Sequence, residues 1–347
     1  MEPEAQSVEP TTQDPRSRTR IRLVRLGRAA AFCLGLLAIL AVLYRIGAPH
    51  YQTVKFKAEK RRLAAVTQAK TVIFGNSHAL DILPEEGGFR GTNFGRGGQD
   101  LFELAHTARY VMPRAKEART VLIGISYFSF SLDNGAYRKR GVQSRIGRRL
   151  HTYAAFPRLG FIEGDTGPFL KGLLYPLVTS DHWERILTGR SKAGSAGDDE
   201  DEDEMPKAKL VRRTAAQLES ISRRRVRGYL GLMSNMRKNN PELLSDTYET
   251  LLALITDLQE RGLTVALFTA PYCKAYNEDF PKVWQTRLAE NAKKLSKATG
   301  VRYHDFSKHP DFLERAELFA DADHLNLDGK RIFSRMIADL PEVRGVR

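Results

Sequence analysis

The chain has 347 residues and a formal net charge of +14, with 42% hydrophobic and 28% charged residues. That is enough for one large or two small domains with a well-buried core, and it excludes a wholly disordered chain. Its two cysteines, Cys33 in an apolar run and Cys273 far downstream, leave the globular part without an internal disulfide, so stability rests on burial.

Residues 1–28 form a basic tail: a short Glu-, Pro- and Thr-containing stretch, then Arg16, Arg18, Arg20, Arg22, Arg25 and Arg28. From Ala29 to Tyr44 no residue is charged, and Ile46-Gly47-Ala48 extend the run if Arg45 snorkels. Residues 29–48 thus approach the roughly 20 residues that a spanning helix needs. The arginines before the run outweigh Arg45, Lys55 and Lys57 after it, so the tail is expected in the cytoplasm and the remainder outside, in a single-pass inner or plasma membrane protein. A cleaved signal peptide and a buried helix of a soluble protein are the competing readings. Residues 49–70 read as a linker or juxtamembrane helix, and the lipid bilayer is the first expected partner.

The globular part, 71–347, opens with Thr71–Gly75, a β-branched and aromatic run ending in glycine, which reads as a buried strand. A short extended piece, Thr92–Gly95, precedes an amphipathic helix carrying Leu101, Leu104, Ala105, Ala108 and Val111, and Thr120–Tyr127 is the next strand. An insertion at about 130–240 offers no clear strand. Within it, 189–209 reads as a disordered loop around the acidic run Asp198–Glu204, and a basic helical piece at Thr214–Arg227 suits a cap or an anionic partner. Then come a helix at Glu242–Arg261, a strand at Leu263–Ala270, a helix at Asp279–Thr299, a strand at Val301–Phe306 and a helix at Leu327–Leu340. Strands alternating with such helices predict a three-layer α/β/α sandwich around a parallel sheet.

Two local patterns carry chemistry. Ser77, in Gly75-Asn76-Ser77-His78, directly follows the first strand, where an α/β sheet gathers its ligands; a helix N-cap is the alternative role. His324 lies in Asp321-Ala322-Asp323-His324-Leu325-Asn326, just before the last helix. An Asp three residues upstream can accept the ring Nδ1–H and leave Nε2 free as a base toward a serine hydroxyl. An acidic turn capping the helix is the alternative. His78 beside the serine suits either substrate contact or a capping role. His304 and His309 lack ligand spacing, so no metal is expected, and no cofactor or nucleic-acid motif is found. Cys273 reads as an ordinary unpaired thiol.

Residues 71–127 and 264–340 together resemble the SGNH/GDSL hydrolase superfamily. The segment Ile73-Phe74-Gly75-Asn76-Ser77-His78 is similar to its first block, Asn93-Phe94-Gly95-Arg96-Gly97-Gly98-Gln99 to its second, and Asp321 with His324 to its last. The resemblance implies a flavodoxin-like fold, a Ser77–His324–Asp321 triad, and an oxyanion hole that includes the Gly98 N–H. The third block departs from the pattern: Gly124-Ile125-Ser126-Tyr127 lacks the family's oxyanion asparagine, for which the Ser126 hydroxyl is the nearest substitute. The anchor and the Thr269-Ala270-Pro271-Tyr272 segment are similar to the membrane-tethered branch of lipoteichoic-acid D-alanylation and alginate O-acetylation proteins. This implies O-acyl (acetyl) transfer or removal on a surface glycan beside a membrane-bound O-acyltransferase. A non-catalytic accessory that positions that enzyme is the alternative, and a basic polymer-binding module is a third.

Overall fold

The structure is a computed structural model that describes residues 26–28, 30–42, 56–136, 144–158 and 211–346. It divides into two compact units, Met1–Tyr51 with Pro176–Gly189, and Gln52–Tyr175 with Arg190–Arg347. In the first unit, residues 26–28 and 30–42 are helical, and Phe32, Leu34, Leu37 and Ile39 are exposed. Among the described residues no helix is long and apolar enough to cross a membrane. The remainder of the predicted 29–48 segment, like the acidic loop at 189–209, lies outside the described residues.

The second unit holds a five-stranded parallel sheet in the order β2-β1-β3-β4-β5. Its strands are β1 (Thr71–Gly75), β2 (Gly91–Asn93), β3 (Thr120–Gly124), β4 (Thr264–Thr269) and β5 (Arg302–Asp305). Every residue of β1 and β3 is buried, which explains their unbroken apolar runs; β5, at the sheet edge, has none buried and reads Arg-Tyr-His-Asp. From β1 the chain first lays β2 on one side and then returns to lay β3 on the other. The strand order therefore reverses between β1 and β3, and their C-terminal ends open the crevice in which such sheets bind ligands.

The unit also contains helices α1 (Lys57–Ala65), α2 (Leu101–Val111), α3 (Ser144–Ala155), α4 (Ala215–Asn239), α5 (Leu243–Glu260), α6 (Lys274–Asp279), α7 (Lys282–Thr299), α8 (Leu327–Ala338) and α9 (Pro341–Arg344), besides single helical turns at Pro84–Gly87 and Pro310–Leu313. One group, α2, α5 and α7, packs on itself and on the strands, while α8 packs on α9, which reaches β4. Their starts follow local chemistry: Asp100 and Glu103 form a reciprocal capping box on α2, Thr214 and Gln217 on α4, and Asn326 caps α8. The helix predicted at Asp279–Thr299 is α7 and starts three residues later, at Lys282, because Pro281 lacks an N–H and sets its start; α6 before it, ending at Asp279, is not predicted by the sequence pattern. The predicted last helix likewise ends at Ala338, and Pro341 begins α9.

Two segments read as peripheral from sequence belong to the packed unit. Phe56 and Glu59, at the end of the predicted linker, are buried, and Glu59 accepts from His151 Nε2 at 2.8 Å. Helix α3 of the insertion carries Arg149, 1% exposed, whose guanidinium lies 2.8 Å from Asp100, 2.8 Å from Asp133 and 3.4 Å from Glu103.

The glycines ending β1 and β3 stand side by side in register. Gly75 has φ of 154°, and a Cβ there would lie 2.7 Å from Ala79 Cβ and 3.0 Å from the Gly124 carbonyl oxygen. The Ser77 turn is thereby pressed onto the sheet. Gly75→Ala is expected to destabilise the chain by about 1–3 kcal/mol, read from the urea midpoint; an unchanged midpoint would show that the turn yields freely.

Candidate active site

After Gly75 the backbone passes through Asn76 into a single 3₁₀ turn, Ser77–Asp81. Asn76 Oδ1 accepts the His78 N–H at 3.0 Å, which caps this turn and leaves Ser77 as its first, partly exposed residue. Asn93, at the end of β2, locks the turn from the other side: its Nδ2 donates to the Ala79 carbonyl at 2.6 Å and to the Ile82 carbonyl at 2.9 Å. The Arg96 N–H donates to the Gly75 carbonyl at 3.1 Å, so the second glycine-rich loop is tied to the end of β1. In that loop Gly98 has φ of 60° and its carbonyl accepts from Asn134 Nδ2 at 3.1 Å.

The Asp321-x-x-His324 turn curls back as its spacing predicts. Asp321 Oδ1 accepts the backbone N–H of Asp323 at 3.1 Å and of His324 at 2.9 Å, and His324 Nδ1 lies 2.9 and 3.0 Å from the two Asp321 oxygens. His324 Nε2 is buried with no hydrogen-bond partner among the described residues. The His324 ring sits 4.9 Å, centroid to centroid, from that of His78, the neighbour of Ser77. Two stretches almost 250 positions apart thus meet at the β1/β3 crevice. The Ser77 hydroxyl and Nε2 are not hydrogen-bonded to each other.

Asn76, His78 and Ser126, expected from the sequence to line the oxyanion hole or contact substrate, are all buried instead. His78 is 2% exposed; its Nε2 lies 3.0 Å from Asp323 Oδ2 and its Nδ1 2.6 Å from Ser126 Oγ. Because Asp323 offers an acceptor, the ring proton belongs on Nε2, and Nδ1 accepts the Ser126 hydroxyl hydrogen. Asn76 Nδ2 donates to the same Ser126 Oγ at 2.8 Å. Burial holds the His78 pKa below its ordinary value despite the neighbouring Asp323, in keeping with a neutral ring. All three side chains are therefore committed to one buried chain of hydrogen bonds rather than facing a substrate. The Ser126 N–H is also taken, donating to Ser129 Oγ at 2.8 Å, so neither donor of Ser126 is free to replace the missing asparagine.

Four partners were not foreseen. Asp323, fully buried, joins the His78 chain to the His324 turn. Tyr272, in the segment after β4, places its hydroxyl 3.3 Å from His78 Nδ1. Asn93 fastens the serine turn, and Arg225 enters from α4 of the insertion. Arg225 Nε is 2.6 Å from Asp323 Oδ1, and its Nη2 is 3.4 Å from Asp321 Oδ2 and 2.8 Å from His324 Nδ1. Only the second acidic residue in Asp-Ala-Asp-His and the run of arginines at 223–225 hinted at this cluster.

The electrostatics follow from two cations sharing two carboxylates. Burial opposes charge on His324, but Asp321 and Asp323 outweigh it and lift its pKa to about 9, with Arg225 pulling the other way. Burial likewise opposes ionisation of Asp321, yet His324 and Arg225 hold its carboxyl far below the usual carboxylate range. Cys273 is buried and unpaired, and burial pushes its thiol up to about 11, as an inert thiol requires. Ligand atoms of His78, Asp323 and His324 lie within 4.8 Å of one another and are the candidate metal set. Arg225 already supplies the positive charge there, so a cation would have to displace it.

No protein-family model and no curated protein matches the sequence. Among solved structures, the fold is similar to an acetyl xylan esterase, with 13% identity over 78% of this chain and 99% of that one and a TM-score of 0.36. It is also similar to a putative acylhydrolase from Bacteroides fragilis, with 10% identity over 83% of this chain and 95% of that one and a TM-score of 0.39.

Proposed function

We propose that this chain is a serine acyl-ester enzyme, with Ser77 as nucleophile, His324 as general base and Asp321 as the group that orients it. The observation that carries the reading is the His324 ring: Asp321 engages Nδ1, and Nε2, beside the Ser77 turn, has no hydrogen-bond partner among the described residues. In the reaction, Ser77 Oγ attacks the ester carbonyl while its proton passes to His324 Nε2. The tetrahedral oxyanion is held by backbone N–H groups of Gly98 and the Ser77 turn. Collapse breaks the ester bond as His324 returns the proton to the leaving alcohol, leaving an acyl-enzyme. A second hydroxyl, from water or a sugar, is then deprotonated by His324 and releases the acyl group.

The acceptor and the setting belong to the same proposal. The apolar run within 29–48 and the arginines before it support a signal anchor with the enzyme unit outside the cytoplasm. The substrate is then an O-acylated, most simply O-acetylated, envelope polysaccharide, with a membrane-bound O-acyltransferase as partner when the acyl group is added. The alternative is an accessory that positions such an enzyme without chemistry of its own; Ser126 in the asparagine position favours it, because one oxyanion donor is worth about 100- to 1000-fold in rate. A fluorophosphonate probe separates the two. The wild type is expected to be labelled and Ser77→Ala not, whereas a folded wild type that resists the probe would leave the accessory reading.

A further inference from the structure

Away from the proposed triad, the outer face of α4 carries one sign of charge along most of its length. Arg223, Arg227, Leu230, Ser234, Arg237 and Lys238 recur at steps of three and four, so they share one face of the helix over roughly 22 Å. The four cations are exposed, and Glu219, 3.3 Å from Arg223, is the one carboxylate in α4. At its C-terminal end this stripe meets an apolar knob on α7. Val283 is 58% exposed, and among the described residues it is the one large hydrophobic side chain of the enzyme unit that is exposed. Beside it the half-buried Trp284 ring faces Leu230 and Pro241 across an open groove, with the Arg237 guanidinium 6.0 Å from the indole centroid. Lys282 adds an exposed cation before Val283; against these stand the exposed Glu242, beside Pro241, and Glu290, further along α7.

We propose that this face docks the enzyme unit on an anionic lipid bilayer, with Val283 and Trp284 entering the headgroup region and the α4 cations lying over it. An exposed valine gains nothing from a soluble polyanion but leaves water on entering the interface, where an indole is also at home. A long, shallow row of cations suits a surface of mobile anionic headgroups, each cation adding to the attraction. Single-stranded nucleic acid fits less well, because it is held by successive aromatic platforms and Trp284 is the one aromatic residue lining the groove. The surface requires no residue of the triad, and it stands whether or not residues 29–48 span a membrane. Arg225, on the opposite face of α4, reaches His324, so a single helix would link the bilayer to the site.

Docking can be read from Trp284 fluorescence in the full-length chain carrying Trp183→Phe, which leaves one indole of the two. The chain is compared in nanodiscs of brominated phosphatidylcholine with and without phosphatidylglycerol, so that any insertion of residues 29–48 is common to both. Trp284 is expected to shift to the blue and to be quenched by the bromines in the anionic discs, and to lose that quenching in high salt. Combining Arg223→Gln, Arg227→Gln, Arg237→Gln and Lys238→Gln should cut the quenching about threefold or more. Val283→Asp, which leaves the cations in place, should do the same by keeping the knob in water. All five positions are exposed, and a urea midpoint confirms that each variant is folded. Equal Trp284 spectra in the two kinds of disc would overturn the proposal, as would full quenching in either variant. A larger response to soluble polyglutamate or single-stranded DNA than to the anionic discs would also overturn it and assign the stripe to a polymer.

Discussion

Asp321→Asn is expected to slow acylation of Ser77 about 10⁴-fold near neutral pH, because it presents the wrong hydrogen-bonding group to the base. The asparagine oxygen can still accept the backbone N–H groups of Asp323 and His324, so the turn survives. Its amide, however, turns a donor toward Nδ1, and Arg225 Nη2 already sits 2.8 Å from that nitrogen. With two donors facing it, Nδ1 must accept, the ring proton moves to Nε2, and no lone pair remains for the Ser77 proton.

The pH profile checks the same arrangement from another side. With the His324 pKa raised to about 9, the imidazole is mostly protonated at pH 7, and the fraction able to act as base grows as pH rises. The labelling rate of the wild type should therefore climb roughly tenfold per pH unit up to about 9, then level off. Arg225→Gln removes the cation that opposes His324 protonation and should move the midpoint to higher pH; neighbouring Asp321, Asp323 and neutral His78 remain in place. A flat profile between pH 7 and 9, or Asp321→Asn labelling at the wild-type rate, would remove His324 from the role of base.

The largest effect on stability is expected at Arg149. Replacing it by Met keeps much of the volume but strands Asp100 and Glu103, both fully buried, together with Asp133. Arg96, 3.3 Å from Glu103, is then the remaining cation beside them. Breaking such a cluster from one side costs about 3–5 kcal/mol, since the carboxylates lose their countercharge but not their burial. Burial already raises the Glu103 and Asp133 pKa values, which shows how little further loss the cluster tolerates. The measurement is a urea midpoint at neutral pH. A shift of less than about 1 kcal/mol would mean that α3 is not fastened to the α2 cap through this residue.

Legibility of this protein in its sequence divides by how far apart the interacting residues are. The apolar runs of β1 and β3, the glycines that end them, the capping residues of α2 and α8, and the curl of Asp321 toward His324 all depend on neighbours within a few positions. Backbone sterics and hydrogen-bond reach therefore imprint them on short segments, and the parallel sheet follows from their alternation. The roles of individual polar residues did not follow in the same way. His78 pairs with Ser126 across 48 positions and with Asp323 across 245, and Arg225 meets His324 across 99. A histidine, a serine or an arginine carries no local mark of whether burial will take its polar atoms out of use or leave them at a crevice. Sequence by itself determined the strands, the turns and the Asp-x-x-His unit, while only the packing of the insertion and of the β3 and β4 loops against them decided that Ser126 is spent and that Arg225 stands beside His324. The physical reason is that desolvation acts on whatever the fold brings together, and that is a property of the assembled layers, not of any one segment.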